Sequence, residues 1–305
     1  MKTFLRSLGT AVCIACAIQL FTIGVLAPRL PPVRGRPAVQ EERELVLPGA
    51  PVFHLDNQDG SVQVRTHEQK ATHVRAEARA YVRTRGANAV AQAYLATLIA
   101  VDATPEAVVI VSEPEERPDE VDVQIDYTVL VAEGTDVVVE GANGDVWISK
   151  GCGQVSVKGL NADIEIVEPG GSVTAQSTNG RIRVLDAVDD ATLETVNGNV
   201  YAHMKAGALK AATTNGAIVA HMYDPESEAF DLSSRNGGIT LVMGEGCSGE
   251  VEAATGRGVI KSDFPMDGSV GTRRRRHLKG TIGSGHTCVV MHTLNGNIWI
   301  ARGRT

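Results

Sequence analysis

Asn179-Gly180-Arg181-Ile182-Arg183-Val184 decides the fold, because the chain writes it repeatedly. Asn143-Gly144-Asp145-Val146-Trp147-Ile148 and Asn161-Ala162-Asp163-Ile164-Glu165-Ile166 come before it. Asn197-Gly198-Asn199-Val200, Asn215-Gly216-Ala217-Ile218, Asn236-Gly237-Gly238-Ile239 and Asn295-Gly296-Asn297-Ile298 follow. Arg257-Gly258-Val259-Ile260 and Lys279-Gly280-Thr281-Ile282 are weaker copies. The leading residues stand at 143, 161, 179, 197, 215, 236, 257, 279 and 295, so the gaps are 18, 18, 18, 18, 21, 21, 22 and 16. A near-constant period of this length marks stacked repeats.

Three residues past each leading position the chain always carries Val or Ile, from Val146 to Ile298. β-Branched side chains suit a half-buried pleated surface. Two residues further come Ile148, Ile166, Val184, Ala202, Ala220, Leu241 and Ile300, with Ser262 breaking the pattern. Residues two apart share one face of a strand. Six and four residues before the leading position lie Val137 and Val139, Val155 and Val157, Val173 and Ala175, and so on to Val289 and Met291. Each repeat therefore reads as strand, Asn-Gly turn, strand, with aliphatic inner faces. Glycine after asparagine is the usual way to supply a positive φ. An antiparallel hairpin is the competing reading of such a turn, but hairpins need no constant spacing. The expected fold is all-β, a β-solenoid of about nine rungs over 137–302. Asn143, Asn161, Asn179, Asn197, Asn215, Asn236 and Asn295 would then form a structural turn ladder of stacked amides.

The rest of the chain divides around the repeat. Residues 1–7 are short and basic, and residues 8–27 run without a charge for long enough to span a bilayer. They read as a transmembrane signal-anchor, with a cleaved signal peptide as the alternative. The expected location is membrane-anchored and extracytoplasmic, at the periplasm or cell surface. Residues 28–43 are a Pro-rich linker. Residues 44–136 read as a β-rich capping domain with one helix over 87–101, covering the first rung's open edge. Aromatic residues make up only 4% of the 305, which fits thin aliphatic cores. The net charge of −7 argues against nucleic acid as a partner. Cys152, Cys247 and Cys288 fall in different repeats, so no essential disulfide is expected.

No catalytic residues and no cofactor emerge from the sequence. The outward positions after the turn are Asp145, Asp163, Arg181, Asn199, Ala217 and Gly238, a row typical of solvated surface. His203 and His221 each sit in an Ala-His-Met triplet 18 residues apart, so they are the one weak metal candidate. A third ligand is missing from their column, where Leu185 and Val242 stand. Trp147 and Trp299 share an outward column with Tyr201 between them. Exposed rings on a polar face can grip sugars. The plainer account packs Trp147 on the preceding domain and has Trp299 close the last rung. Arg273, Arg274, Arg275 and Arg276 cannot enter an aliphatic core, so Asp263 to His277 is expected to protrude as a possible anionic-ligand loop.

Lys261-Ser262-Asp263-Phe264-Pro265, Leu278-Lys279-Gly280-Thr281-Ile282-Gly283-Ser284-Gly285 and Thr293-Leu294-Asn295-Gly296-Asn297-Ile298 resemble the bacterial putative-adhesin β-solenoid family. The resemblance covers roughly residues 50 to 302. It implies a secreted or envelope-anchored β-helical protein and carries no catalytic residues over. The expected function is an envelope-anchored scaffold or adhesin-like surface protein without catalytic activity. Its partners would be the membrane through residues 8–27 and a cell-surface polysaccharide or envelope protein. A carbohydrate-active enzyme on a β-helix and an envelope-linked regulatory sensor module are the alternatives.

Overall fold

The computed structural model describes residues 37–83, 86–112, 117–223, 227–266 and 276–303. The apolar segment 8–27 lies outside the described residues, as do residues 28–36 of the expected linker and Arg273 to Arg275. Among the described residues no helix is long and apolar enough to cross a membrane.

Two long sheets face each other, each with twelve strands. The leading sheet holds the strand before each Asn-Gly corner and the trailing sheet the strand after it. Consecutive repeats pair in parallel with matched positions side by side: Ile164 against Ile182, Ile182 against Val200, Val200 against Ile218 and Ile218 against Ile239. All five isoleucine and valine side chains are fully buried, so they form one continuous seam. Valines and leucines of the leading sheet close it from the opposite side, with Val155, Leu193, Leu209 and Leu232 all inside. The chain is a β-solenoid.

The corners are held by three columns of contacts. In the first, the Asn143 amide donates to Asp59 at 2.6 Å. Asn161 donates to Asn143, Asn179 to Asn161, Asn197 to Asn179, Asn215 to Asn197, Asn236 to Asn215 and Asn295 to Asn236, all at 2.6–2.8 Å. In the second, a buried Ser or Thr hydroxyl two residues before the asparagine donates to the carbonyl at the previous corner. The pairs include Ser177 to Ala162, Thr195 to Gly180, Thr213 to Gly198, Ser234 to Gly216 and Thr293 to Gly237.

The third column explains the glycine. The expected positive φ is found at Gly144, with φ 132, but not at Gly180, Gly198, Gly216, Gly237 or Gly296. A Cβ on Gly198 would instead fall onto the carbonyl oxygen of Gly180, and one on Gly216 onto that of Gly198. The same overlap would arise at Gly180, Gly237 and Gly296. Most corners therefore need glycine for close approach of backbones rather than for a left-handed turn.

Residues 44–136 share both sheets with the repeats. Strand Val52–Asp59 pairs in parallel with Asp136–Asn143 and with Ala107–Ser112. Strand Val62–His67 pairs in parallel with Val146–Ile148 and with Val121–Ala132. Asp59-Gly60-Ser61-Val62 is thus another corner, and the described residues from 37 to 303 form one compact unit. Val39–Leu47 and Thr72–Val82 close the trailing sheet in antiparallel fashion, and Ile99–Ala103 closes the leading sheet. The helix spans Asn88–Thr97, shorter than the expected 87–101, because Ile99 and Val101 turn back into that edge strand. It buries Ala91, Tyr94 and Leu95, and its terminal Leu95 and Ala96 carbonyls accept from Arg43.

At the other end the chain order and the spatial order part. Strand Thr287–Thr293 inserts between Ala229–Asn236 and Gly249–Thr255. Its partner Ile298–Arg302 inserts between Ile239–Met243 and Ile260–Ser262. The Arg257 corner is therefore outermost, beyond Asn295. The Lys279 copy, expected to be a rung, is an antiparallel edge strand, His277–Ile282, along Gly249–Thr255. It has no second sheet to bury against, so Leu278 and Gly280 are only partly buried and Lys279 is exposed. Asp263 to Met266, expected in a protruding loop, instead fold over the end. Phe264 and Met266 pack on the core, and the Arg302 guanidinium lies over the Phe264 ring at 4.9 Å. Stacked rungs thus number ten among the described residues.

The corner columns and the seam make distinct predictions. Gly198→Ala should destabilise the protein more than Asn197→Ala, which loses two amide bonds at about 0.5–1.5 kcal/mol each. Equal melting temperatures for the two variants would show that the carbonyl column does not constrain the corner. Ile218→Asp buries an unpaired charge and should cost more than about 4 kcal/mol, while exposed Ser156→Asp should stay within about 0.5 kcal/mol. Urea melts of both variants read these values directly.

Candidate binding face

The outer face of the trailing sheet is built by the same register that builds its core. Alternate residues point outward, so matched outward positions fall into columns along the coil. One column runs Gln63, Trp147, Glu165, Arg183, Tyr201, Val219, Thr240, Trp299 and Lys261. A second runs from Asp145 through Asp163 and Arg181 to Asn199. The two columns line a shallow trough of about 670 Å³ between Trp147 and Tyr201.

The carboxylates in this trough already have partners. Asp145 accepts from the Asp163 backbone N–H, and Asp163 accepts from the Arg181 backbone N–H at 2.7 Å. Arg181 adds two guanidinium bonds to Asp163 at 3.0 and 2.7 Å. Desolvation opposes the charged form of Asp163, but these bonds from Arg181 hold its carboxyl below the usual carboxylate range. Glu165 pairs with Arg183 at 3.6 Å. Asn199 accepts from the Ala217 N–H and Asn297 from the Val259 N–H. The outward acids and amides thus tie one rung to the next.

Each aromatic ring of the column has a defined neighbour. Arg65 lies over the Trp147 ring at 4.9 Å. Arg183 lies over Tyr201 at 5.7 Å, and His221 approaches the same ring at 5.2 Å. Trp299 is 46% exposed and donates from Nε1 to Asp263 at 3.1 Å. Trp147 therefore does pack on the preceding rung, through Arg65. Trp299 does not close the coil, because Ile260–Ser262 lies beyond it.

His203 and His221 stand side by side, their rings 5.9 Å apart. A bulge between Val184 and Ala187 turns Asp186 towards them, with φ 59, where regular pairing would have offered Leu185. Asp186 lies 2.6 Å from His203 Nδ1 and 3.2 Å from Lys205 Nζ. His221 Nδ1 meets the Tyr223 hydroxyl at 3.2 Å. Among the described residues no group of three His, Cys, Asp or Glu is arranged to hold a metal. Burial and the nearby His203 push the His221 imidazole below its ordinary value.

The leading sheet carries the other long concavity, about 860 Å³, along the strands from Lys158 to His292. Ser and Thr residues such as Thr178 and Thr214 line it together with Gln176, and exposed Val196 and Leu294 stand in the asparagine-side column. Of the arginine run, only Arg276 is described. Its carbonyl accepts from the Thr255 N–H.

No family model and no curated protein sequence matches the chain. Solved structures similar to it include a putative adhesin from Bacteroides fragilis. That protein shares 13% identity, with 86% of this chain and 97% of that one covered, at a TM-score of 0.49. A putative adhesin from Parabacteroides distasonis shares 6% identity over 86% and 97% of the two chains, at a TM-score of 0.41. A putative cell adhesion protein from Clostridium sporogenes shares 11% identity over 87% and 100%, at 0.24.

The lowered His221 value gives a pH dependence. The unfolded chain takes up its proton near the ordinary imidazole value, about 6.5, before the folded chain does. Stability is therefore full above that pH and falls as the pH drops through the folded value. His221→Gln should flatten the fall in melting temperature between pH 7 and pH 5. An unchanged slope would remove His221 as its source.

Proposed function

We propose that this chain is an adhesin-like surface protein without catalytic activity, in which the coil is the scaffold and the trailing-sheet face is the working surface. The observation that supports it is the column of outward, chemically varied side chains from Gln63 to Lys261, in unbroken register. Such a face is preorganised, so a partner that lies along it loses little freedom on the protein side. The acids that a hydrolase would need free are instead bonded to backbone N–H groups and to arginine.

The placement is extracytoplasmic. Uncharged residues 8–27 would anchor the chain in a membrane, and Pro-rich residues 28–38 would space the coil from it, since the expected linker gives way at Val39 to the edge strand Val39–Leu47. A cell-surface polysaccharide or an envelope protein is the partner class that suits a long exposed strip.

Full-length protein on beads should retain bacterial envelope fragments. Arg181→Glu with Trp299→Ala should lower that retention at least tenfold. Lys210→Glu, on the leading sheet, should leave it within twofold. Equal losses from both faces, or retention by neither, would dismiss the trailing face as the working surface.

A further inference from the structure

The three aromatic rings of the trailing face are evenly spaced. From Trp147 the column passes Glu165 and Arg183 before it reaches Tyr201. From Tyr201 it passes Val219 and Thr240 before it reaches Trp299. Each interval is three rungs, or about 14 Å at ~4.8 Å per rung. The second interval exists only because Ile298–Arg302 inserts inside Ile260–Ser262. In chain order Trp299 would have stood farther out, and the spacing would have been unequal.

We infer that this column binds an unbranched, uncharged polysaccharide laid along the coil axis, with one sugar on each ring. The inference rests on the trailing face being the working surface. Three observations select this occupant. First, the rings stand in one column of matched positions along the coil, which suits an extended polymer rather than a compact ligand. Second, the charges along the strip cancel in pairs, Asp163 with Arg181 and Glu165 with Arg183. The strip thus offers no net field to an ionic polymer, while the chain as a whole, at −7, repels polyanions. Third, the backbone N–H and C=O groups of this face are spent in the ladders, so a peptide cannot add to it as a strand. A sugar needs no backbone partner. Its C–H face packs on a ring, and its hydroxyls reach groups between the rings, such as Glu165, Arg183 and Thr240.

Several rings acting on one polymer also predict a length threshold. An oligosaccharide that reaches one ring binds weakly, and one that bridges two gains avidity.

The test uses full-length protein and water-soluble linear glucans and mannans of graded length, with alginate as the charged comparison. Calorimetry should show affinity for a neutral glycan rising at least tenfold once the chain bridges two rings. Salt should have little effect. Trp299→Ala and Tyr201→Ala should each lower affinity for long chains at least tenfold and leave short-chain affinity nearly unchanged. Trp299→Phe should recover most of the loss, which guards against a folding defect, and Thr174→Ala, on the outer face of the leading sheet, should lie within a few-fold of the native protein. Three results would overturn the inference. One is binding with no dependence on length. Another is salt-sensitive binding of alginate alone. The third is retention of envelope fragments with no affinity for any neutral glycan, which would leave the surface-binding reading standing while removing its sugar.

Discussion

The close approach of one corner backbone to the next is the constraint on which this coil depends. At the Asn-Gly corners the carbonyl of one glycine occupies the space where a Cβ of the next would sit. At Gly198, Gly216, Gly237 and Gly296 the rungs come that near because the residue is glycine, whereas the Asn161 corner carries Ala162. Once they do, the asparagine amides bond to each other, and the buried Ser and Thr hydroxyls reach the same carbonyls. The column also sets the register. A corner slipped by one residue would put a side chain on that carbonyl and turn the aliphatic seam outward.

Much of this was legible in the sequence because the coil is periodic. Val200 and Ile218 recur at fixed distance from their asparagines, and alternation assigns their faces without further information. Other features were written in the chain but not at the period searched. Asp59-Gly60-Ser61-Val62 spells a corner with Asp in place of Asn, yet it stands 84 residues before Asn143, to which it bonds. The [Ser/Thr]-x-Asn-Gly pattern, as in Thr195-Val196-Asn197-Gly198, was also visible, and a count at two residues before the asparagine would have found it. The Asp186 approach to His203 was not legible. It depends on a bulge that shifts one strand by a residue, and nothing in Leu185-Asp186-Ala187 announces it.

Periodicity misled at the ends for a physical reason. A terminal rung has only one neighbour, so its composition is under weaker constraint than that of an inner rung. Lys279-Gly280-Thr281-Ile282 looks like a corner but lies antiparallel at the edge, where only one sheet exists to pair with. The real terminal corner, Arg257-Gly258-Val259-Ile260, has lost its asparagine and carries Ser262 where the inner strands place an aliphatic. At the opposite end, too, the outermost rung, Ala107–Ser112 with Val121–Ala132, is followed in the chain by strands that lie further inside.

This insertion at both ends follows from how a parallel coil must finish. A last rung left in plain chain order would present two strand edges and an open aliphatic core to water. With strands Thr287–Thr293 and Ile298–Arg302 one step inside, both are paired on both sides. The outermost rung is then continuous with the segment that caps it. Phe264 covers the core, and Asp263 reaches back to the Trp299 indole and the Arg302 N–H. The cap thereby fixes the orientation of a ring on the outer face. The solution to a stability problem at the end of the coil and the geometry of its exposed aromatic column are set by the same few residues.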